Sequence, residues 1–270
     1  MTPATEHAAI RHIVVTLDAS ESGRPALQTA VRLAAILGAK LEGVFVEDIN
    51  LIRLAELPFL REVRLWSLAE ETISTQRIQR ELRTLARHAE RMLEQAAREM
   101  DVPWSFQVWR GRAEATSLAQ AFGADILSLG RLSSLVSSRA WATTRPRTGQ
   151  PRETVTSISV LFSDSEQAAR AMTTACSLAK DMDAVLTVLL PENQAAAMPG
   201  LKEKARTILD LHGQTARFVQ VSGTDMQSLV QAADTPGISI LIAEAEHPLL
   251  QQAGIDQCLE ALFCPVLLVR

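Results

Sequence analysis

The sequence predicts an α/β protein of two tandem, doubly wound domains, each built around a parallel β-sheet. Two observations carry this prediction: the length of 270 residues, and apolar runs that alternate with amphipathic helical segments. At about 150 residues per domain, the length suggests two domains. Strands that are apolar throughout and alternate with helices are typical of a parallel sheet covered on both faces.

An internal repeat indicates that the two domains are of the same kind. Residues 12–48 align with residues 157–193 without a gap, and the offset is 145 at both ends (157 − 12 and 193 − 48). The identities at 26, 30, 33 and 34 follow helical spacing, as one buried helix face would. We therefore expect Ala30 and its equivalent Ala175 to be buried against the sheet.

The first domain is predicted at residues 1–150. Its expected elements are a strand at 13–17, a helix at about 22–37, and strands at 40–46, 105–109 and 125–129. An insertion at 49–103 separates the second strand from the third and contains a long charged helix at about 68–100. The segment 130–156 has few apolar residues and two prolines, so it predicts irregular chain, a linker near 145–153 and no fifth strand.

The second domain is predicted at residues 151–270 and has a more complete set of elements. These are a strand at 158–162, a helix at 167–182, and strands at 184–190, 216–221 and 238–243. The closing run Cys-Pro-Val-Leu-Leu-Val at 264–269 predicts a fifth strand.

Composition excludes several classes of protein. No apolar run reaches the roughly 18 residues that a membrane span needs, so no membrane insertion is expected. The first residues lack the layout of a secretory signal, which favours a cytoplasmic location. The 27 basic and 31 acidic side chains give a net charge of −4, and a dedicated nucleic-acid binder usually has a basic excess.

Motifs for catalysis and for metal binding are missing from the sequence. The five histidines show no HxxxH spacing and the three cysteines form no CxxC pair, so no metal site is predicted. No GxSxG nucleophile elbow is present, and we identify no catalytic residue. Cys176 aligns with Val31 of the repeat and is expected in the core.

Several of these features resemble the universal stress protein family. They are a strand that ends in Asp18, a helix with an alanine- and leucine-rich face, and the closing Cys-Pro-Val-Leu-Leu-Val-Arg. The resemblance covers both copies, and it implies a tandem protein of two Rossmann-like, adenine nucleotide alpha hydrolase-like domains. It also implies two functional classes, because some members bind ATP and others lack the nucleotide site.

In the binding class, the resemblance implies that an aspartate after strand one and a residue at the end of strand two hold the adenosine. A stretch G-x-x-G-x₉-G-[S/T] after strand four binds the phosphates through backbone N–H groups. The positions that match here are Asp18, Val46, Gly130 and Thr144. The second and third glycines are replaced by Ser133 and Thr143, so the motif is degenerate. Asp18 has the alternative role of helix cap.

The second copy departs further from this pattern. Ser163 stands where the first copy has Asp18, and strand four runs into Glu244, Ala245 and Glu246. Pro248 removes a backbone donor from the same place. Two carboxylates would repel a phosphate, so we expect no ATP in this copy.

Partners are predicted from three segments. The last strand, from Pro265 to Val269, would have a free edge if the first copy lacks a fifth strand, which predicts a homodimer through this strand. The apolar segment from Ile49 to Trp66 either packs back on the sheet or contacts a protein partner. The basic cluster of Arg139, Arg145, Arg147 and Arg152 is expected in a solvated loop between the domains.

The function expected from the sequence is that of a cytoplasmic, non-enzymatic regulatory or interaction protein in the stress response. The alternative is a member that binds ATP or another adenine nucleotide in the first domain. The glycine-poor phosphate stretch favours the first reading over the second.

Overall fold

A computed structural model describes residues 10–17, 23–48, 61–63, 70–72, 75–111, 121–129, 157–191, 198–221, 240–251 and 264–270. Asp18, Gly130, Thr144, the segment 130–156 and the linker predicted near 145–153 lie outside the described residues. The segment 49–66 is described only at 61–63, and only in its backbone, so its two alternatives both stay open.

In the first half of the chain, the described residues include six strands and two long helices. They are β1 (His12–Leu17), α1 (Arg24–Leu37), β2 (Lys40–Asp48), β3 (Arg61–Val63), β4 (Glu70–Thr72), α2 (Thr75–Glu99), β5 (Trp104–Gly111) and β6 (Ile126–Leu129). Strands β3 and β4 form a separate antiparallel pair. The helix predicted at about 68–100 is therefore shorter at its start, because residues 70–72 pair as a strand. Three polar residues in a row are compatible with a helix as well as with a strand, so the sequence could not show where the helix begins.

The part of the second half that the structure describes includes five strands and two α-helices. They are β7 (Ser157–Leu161), α3 (Glu166–Met182), β8 (Val185–Pro191), α4 (Met198–Leu211), β9 (Ala216–Val221), β10 (Ile240–Glu244) and β11 (Val266–Val269). A short 3₁₀ helix, Pro248–Gln251, follows β10. Helices α1 and α3 both end in left-handed residues, at Gly38 and Asp183, and these positions are 145 apart (183 − 38). The two halves thus keep the same local design.

Nine of these strands form one sheet, in the order β5-β2-β1-β6-β11-β10-β7-β8-β9. All neighbours are parallel except β11 and β6, which are antiparallel. Each half has the spatial order third, second, first and fourth strand, and β11 follows as the fifth strand of the second half. The common origin of the two halves by duplication stays a prediction.

The predicted free edge at the last strand is wrong. Val266 to Val269 pair with β10 on one side and with Leu129 to Ile126 of β6 on the other. The hydrogen-bonding groups of β11 are therefore used within the chain, and a homodimer cannot form through this strand. The sequence could not show this, because a short apolar strand is compatible with a central position as well as with an edge.

The core lies on both faces of the sheet. On one face, helices α1 to α4 cover alternate strand residues such as Ile13, Leu41 and Ile158. On the other face, Val14, Leu241 and Leu268 belong to a second apolar cluster, which includes the 3₁₀ helix residues Leu249 and Leu250. Alternation between two buried faces explains why the strands read as continuous apolar runs.

The prediction for the repeated helix is confirmed. Ala30 on α1 and Ala175 on α3 are both fully buried, at 0% exposure. Small residues there let each helix approach the strands closely, as Gly43 does under α2, where an added Cβ would meet Leu93 at 2.5 Å. Cys176 is also buried, as expected, and burial raises the pKa of its thiol to about 11.

Candidate functional site

The antiparallel junction places the two halves with opposite strand directions. The carboxyl ends of β1, β2, β5 and β6, here called the first edge, therefore lie opposite those of β7, β8, β9 and β10, here called the second edge. Ligands of open α/β sheets bind beyond the carboxyl ends of the strands. Each edge is thus one candidate site.

The second edge contains a buried carboxylate that is bound by two hydroxyl groups. Ser163 follows β7, and its Oγ donates to Oε1 of Glu244 at 2.6 Å. Ser165 donates from its Oγ to Oε2 of the same carboxylate. Glu244 is the last residue of β10 and is only 4% exposed. Both carboxylate oxygens therefore have a hydroxyl donor inside the protein.

The same cluster is connected to the start of α3. Ser165 is the N-cap residue of that helix, and its Oγ accepts the N–H of Ala168 at 2.8 Å. The positive end of the helix dipole lies at this position, and it favours a negative group nearby. Hydroxyl donors at a helix N-terminus are what a phosphate would use. Here the carboxylate of Glu244 takes that place.

A buried histidine follows the carboxylate along the chain. His247 is 2% exposed, its Nδ1 accepts the N–H of Leu249 at 3.2 Å, and its Nε2 has no hydrogen-bond partner among the described residues. A neutral ring that accepts at Nδ1 carries its proton at Nε2. Burial lowers the pKa of His247 below its ordinary value of 6.5, while the charge of Glu244 acts in the opposite direction. The ring is therefore neutral near pH 7.

The rim of the second edge carries a paired charge. Lys204 on α4 forms an ion pair with Asp164, and both side chains are exposed. Glu246 is exposed as well. This edge thus presents the buried carboxylate of Glu244 and the exposed carboxylates of Asp164 and Glu246, while Lys204 is already paired, which disfavours an anionic ligand.

The first edge has a different character. Val46 on β2 and Trp109 on β5 are paired in register, and both are half-buried against the second apolar cluster. The ring of Trp109 meets Phe122 edge-on, with centroids 5.3 Å apart and planes at 69°. These residues form an apolar, aromatic wall that could contact a flat ligand.

A salt bridge lies beside this wall. Oε2 of Glu47, at the end of β2, is 2.7 Å from Nε of Arg110 on β5. Glu47 is buried while Arg110 is 68% exposed, so the guanidinium remains accessible to solvent. Of the four nucleotide positions identified from sequence, Val46 is the one that the structure describes; Asp18, Gly130 and Thr144 are not described.

Sequence reasoning missed Glu47, Arg110 and Trp109. Glu47 carried a signal, since it is identical to Glu192 in the repeat. No signal in the sequence points to Arg110 or Trp109, because Arg110 bonds to Glu47 and Trp109 pairs with Val46, each 63 residues earlier in the chain.

Among the described residues, no histidine, cysteine and carboxylate groups cluster in a way that could hold a metal ion. No helix in the described part of the chain has the length and apolar character of a membrane span.

Comparisons with known proteins give a likeness in structure rather than in sequence. No protein-family model matches the sequence, and no curated protein matches it significantly. The fold is similar to that of a universal stress protein from Archaeoglobus fulgidus DSM 4304, with 11% identity, coverage of 96% of each chain and a TM-score of 0.54. This likeness shows that the chain has the universal stress protein fold.

Two shorter structures match about half of the chain. One is from the universal stress protein family of Burkholderia pseudomallei, with 21% identity, 51% of this chain, 92% of that chain and a TM-score of 0.33. The other is a universal stress protein in complex with cAMP, with 19% identity, 43% of this chain, 96% of that chain and a TM-score of 0.37. TM-scores this low give neither match any weight for the ligand of this chain.

Proposed function

We propose that this protein is a non-enzymatic regulatory protein of the universal stress type, which acts by binding and not by catalysis. The observation that supports the proposal is the closed cluster of Glu244, Ser163 and Ser165 at the second edge. Where a nucleotide-binding domain would present donors to a phosphate, this half presents a carboxylate that already uses them. The second half then serves as a structural and interaction unit.

The electrostatics of the cluster support this assignment. A phosphate that entered the second edge would approach the carboxylate of Glu244 in a buried, low-dielectric place, where like charges repel strongly. It would also have to displace the carboxylate from both hydroxyls. Removing those bonds without replacement leaves buried polar groups unsatisfied, which costs about 1–3 kcal/mol for each group.

Adenine-nucleotide binding at the first edge is the second candidate function. The half-buried pair of Val46 and Trp109 favours it, because an aromatic side chain at a strand end can stack on a base. The exposed guanidinium of Arg110 could contact a phosphate, although Glu47 already neutralises it. The sequence at Gly130, Ser133 and Thr143 supplies one glycine where the family uses three.

The cellular setting belongs to the same proposal. A role in the stress response and a cytoplasmic location are part of it, and the resemblance to the universal stress protein family alone supports them. At each edge, described polar groups are already bonded to one another: two serine hydroxyls donate to Glu244, and Glu47 pairs with Arg110. Such closed pairs fit a protein that regulates through protein contacts.

Thermal unfolding with Mg²⁺ and ATP tests the proposal. A ligand at 100 times its dissociation constant should stabilise the fold by about 2.7 kcal/mol. We expect no stabilisation and no release of phosphate from ATP. Stabilisation that the Trp109→Ala variant loses would establish the second candidate. Stabilisation that Trp109→Ala keeps and Ser165→Ala loses would contradict the closed second edge.

A further inference from the structure

An exposed row of arginines runs along α2. Arg80, Arg83, Arg87 and Arg91 are all exposed, and the helix buries the opposite face through Leu82, Ala86, Ala89 and Leu93. Residues at this spacing lie on one side of a helix, since three or four residues make one turn. The row, here called the arginine row, runs from Arg80 to Arg91, so its two ends are about 16 Å apart along the helix axis at a rise of about 1.5 Å per residue.

Little on α2 neutralises the arginine row. Arg98 is paired with Glu94 at 2.6 Å, and Arg77 with Glu81 at 3.3 Å, but no such ion pair joins the four arginines to a described carboxylate. Arg91 donates from Nε to the backbone oxygen of Arg87, which leaves its charge uncompensated. The exposed carboxylate nearest to the row in sequence is that of Glu90. Its single negative charge beside four positive charges leaves the row with a clear positive excess.

The equivalent helix of the second half differs in this respect. Helix α4 also lies between the second and third strands of its half, and it too carries exposed charges. Its Lys204 pairs with Asp164, and Arg206 is 3.9 Å from Glu203 and lies over the ring of Phe218. An uncompensated row is thus a property of α2 and of the insertion that contains it, not of the position in the fold.

We propose that the arginine row binds an acidic helical segment of a protein partner. Arg83, Arg87 and Arg91 are four residues apart, which places successive guanidinium groups about 6 Å apart along the axis. Carboxylates at four-residue spacing on a second helix have the same repeat. Each guanidinium can hold a carboxylate through two hydrogen bonds, so the two rows match in charge and in period.

Other anionic partners fit less well. The described exposed residues of α2 are all polar, which leaves nothing to insert into a lipid surface. The helix contains no phenylalanine, tyrosine or tryptophan on which a base could stack. The net charge of −4 on the whole chain also opposes a polyphosphate backbone. A short acidic helix meets only the row and avoids the remaining acidic surface.

The test uses the full-length protein and a labelled helical peptide with glutamate at every fourth residue. At about 50 mM salt, where charges are weakly screened, we expect the peptide to bind, and at about 500 mM salt we expect binding to be lost. The triple variant Arg83→Gln, Arg87→Gln, Arg91→Gln should weaken binding by about tenfold, since each exposed pair contributes little alone. Glutamine is also a good helix former, so α2 should persist, which circular dichroism checks.

The matched control is Arg98→Gln, because Glu94 already pairs with that arginine on the same helix. It should change the affinity by less than about twofold. An absence of peptide binding at low salt, or equal weakening by the triple variant and by Arg98→Gln, would overturn the proposal. Tighter binding to single-stranded oligothymidylate or to phosphatidylserine vesicles than to the peptide would overturn the assignment to a protein partner.

Discussion

Leu268 on β11 lies opposite Leu127 on β6 in antiparallel register, and this pairing joins the two halves of the chain into one sheet. The same strand runs parallel to β10, where Leu268 pairs with Ala243. The fifth strand of the second half therefore occupies the position beside β6, where a fifth strand of the first half would otherwise lie. One strand thus completes both halves.

The central position of β11 predicts the effect of a charge within it. Val266 is 2% exposed, so Val266→Lys would bury an ammonium group that has no partner, at a cost of about 3 kcal/mol. Urea unfolding should show this loss. The control is Val185→Lys, at a valine that is 64% exposed, and it should leave stability nearly unchanged. If Val266→Lys unfolds like the unmodified protein, β11 is not central.

The buried alanines of the repeated helices give a second prediction. Ala30→Leu and Ala175→Leu should each overpack the core and lower the free energy of unfolding by about 1–3 kcal/mol. Both effects should be similar, because the two sites are equivalent and equally buried. Gln28→Leu, at an exposed position of α1, is the control. A neutral effect at either alanine would argue against the common packing of the two halves.

The neutral buried histidine makes stability depend on pH. The pKa of His247 is lower in the folded chain than in the unfolded chain, where it stays near its ordinary value of 6.5. Between these two values only the unfolded chain binds the proton, so stability is full above about pH 6.5 and falls as the pH falls. Protonation also removes Nδ1 as the acceptor for Leu249.

Urea unfolding at about pH 7.5 and about pH 5.5 measures this dependence. We expect the His247→Gln variant to lose less stability between the two conditions than the unmodified protein does. The exposed His88 gives the control, and His88→Gln should keep the original dependence. An identical loss in all three proteins would show that His247 does not titrate in this way.

Much of the fold could be predicted from sequence because its strands are buried on both faces and separated by amphipathic helices. The predicted strand at 216–221 agrees at both ends with β9, and the predicted helix at 167–182 begins one residue after α3 does. The internal repeat also predicted correctly that Ala30 and Ala175 are buried. A single sequence is enough to predict these features, because they are local or recur at a fixed offset along the chain.

The features that sequence did not reveal depend on contacts between distant segments. Whether β11 is an edge or a central strand depends on β6, about 140 residues earlier, and both cases read as an apolar run. The sequence did predict a negative charge at the carboxyl end of the fourth strand of the second half, because Glu244 follows that strand directly. Its bonds to Ser163 and Ser165 could not be predicted, because they need the β7 and β10 ends side by side.

The central claim is that Glu244 closes the second edge to nucleotides. Photolabelling of the unmodified protein with azido-ATP, followed by peptide mapping, tests it most directly. We predict no labelled peptide that contains Ser163, Ser165 or Glu244; any specific label, removed by excess ATP, should map to the first half near Val46 and Trp109. A specific label on the peptides of Ser163, Ser165 or Glu244 would contradict the claim.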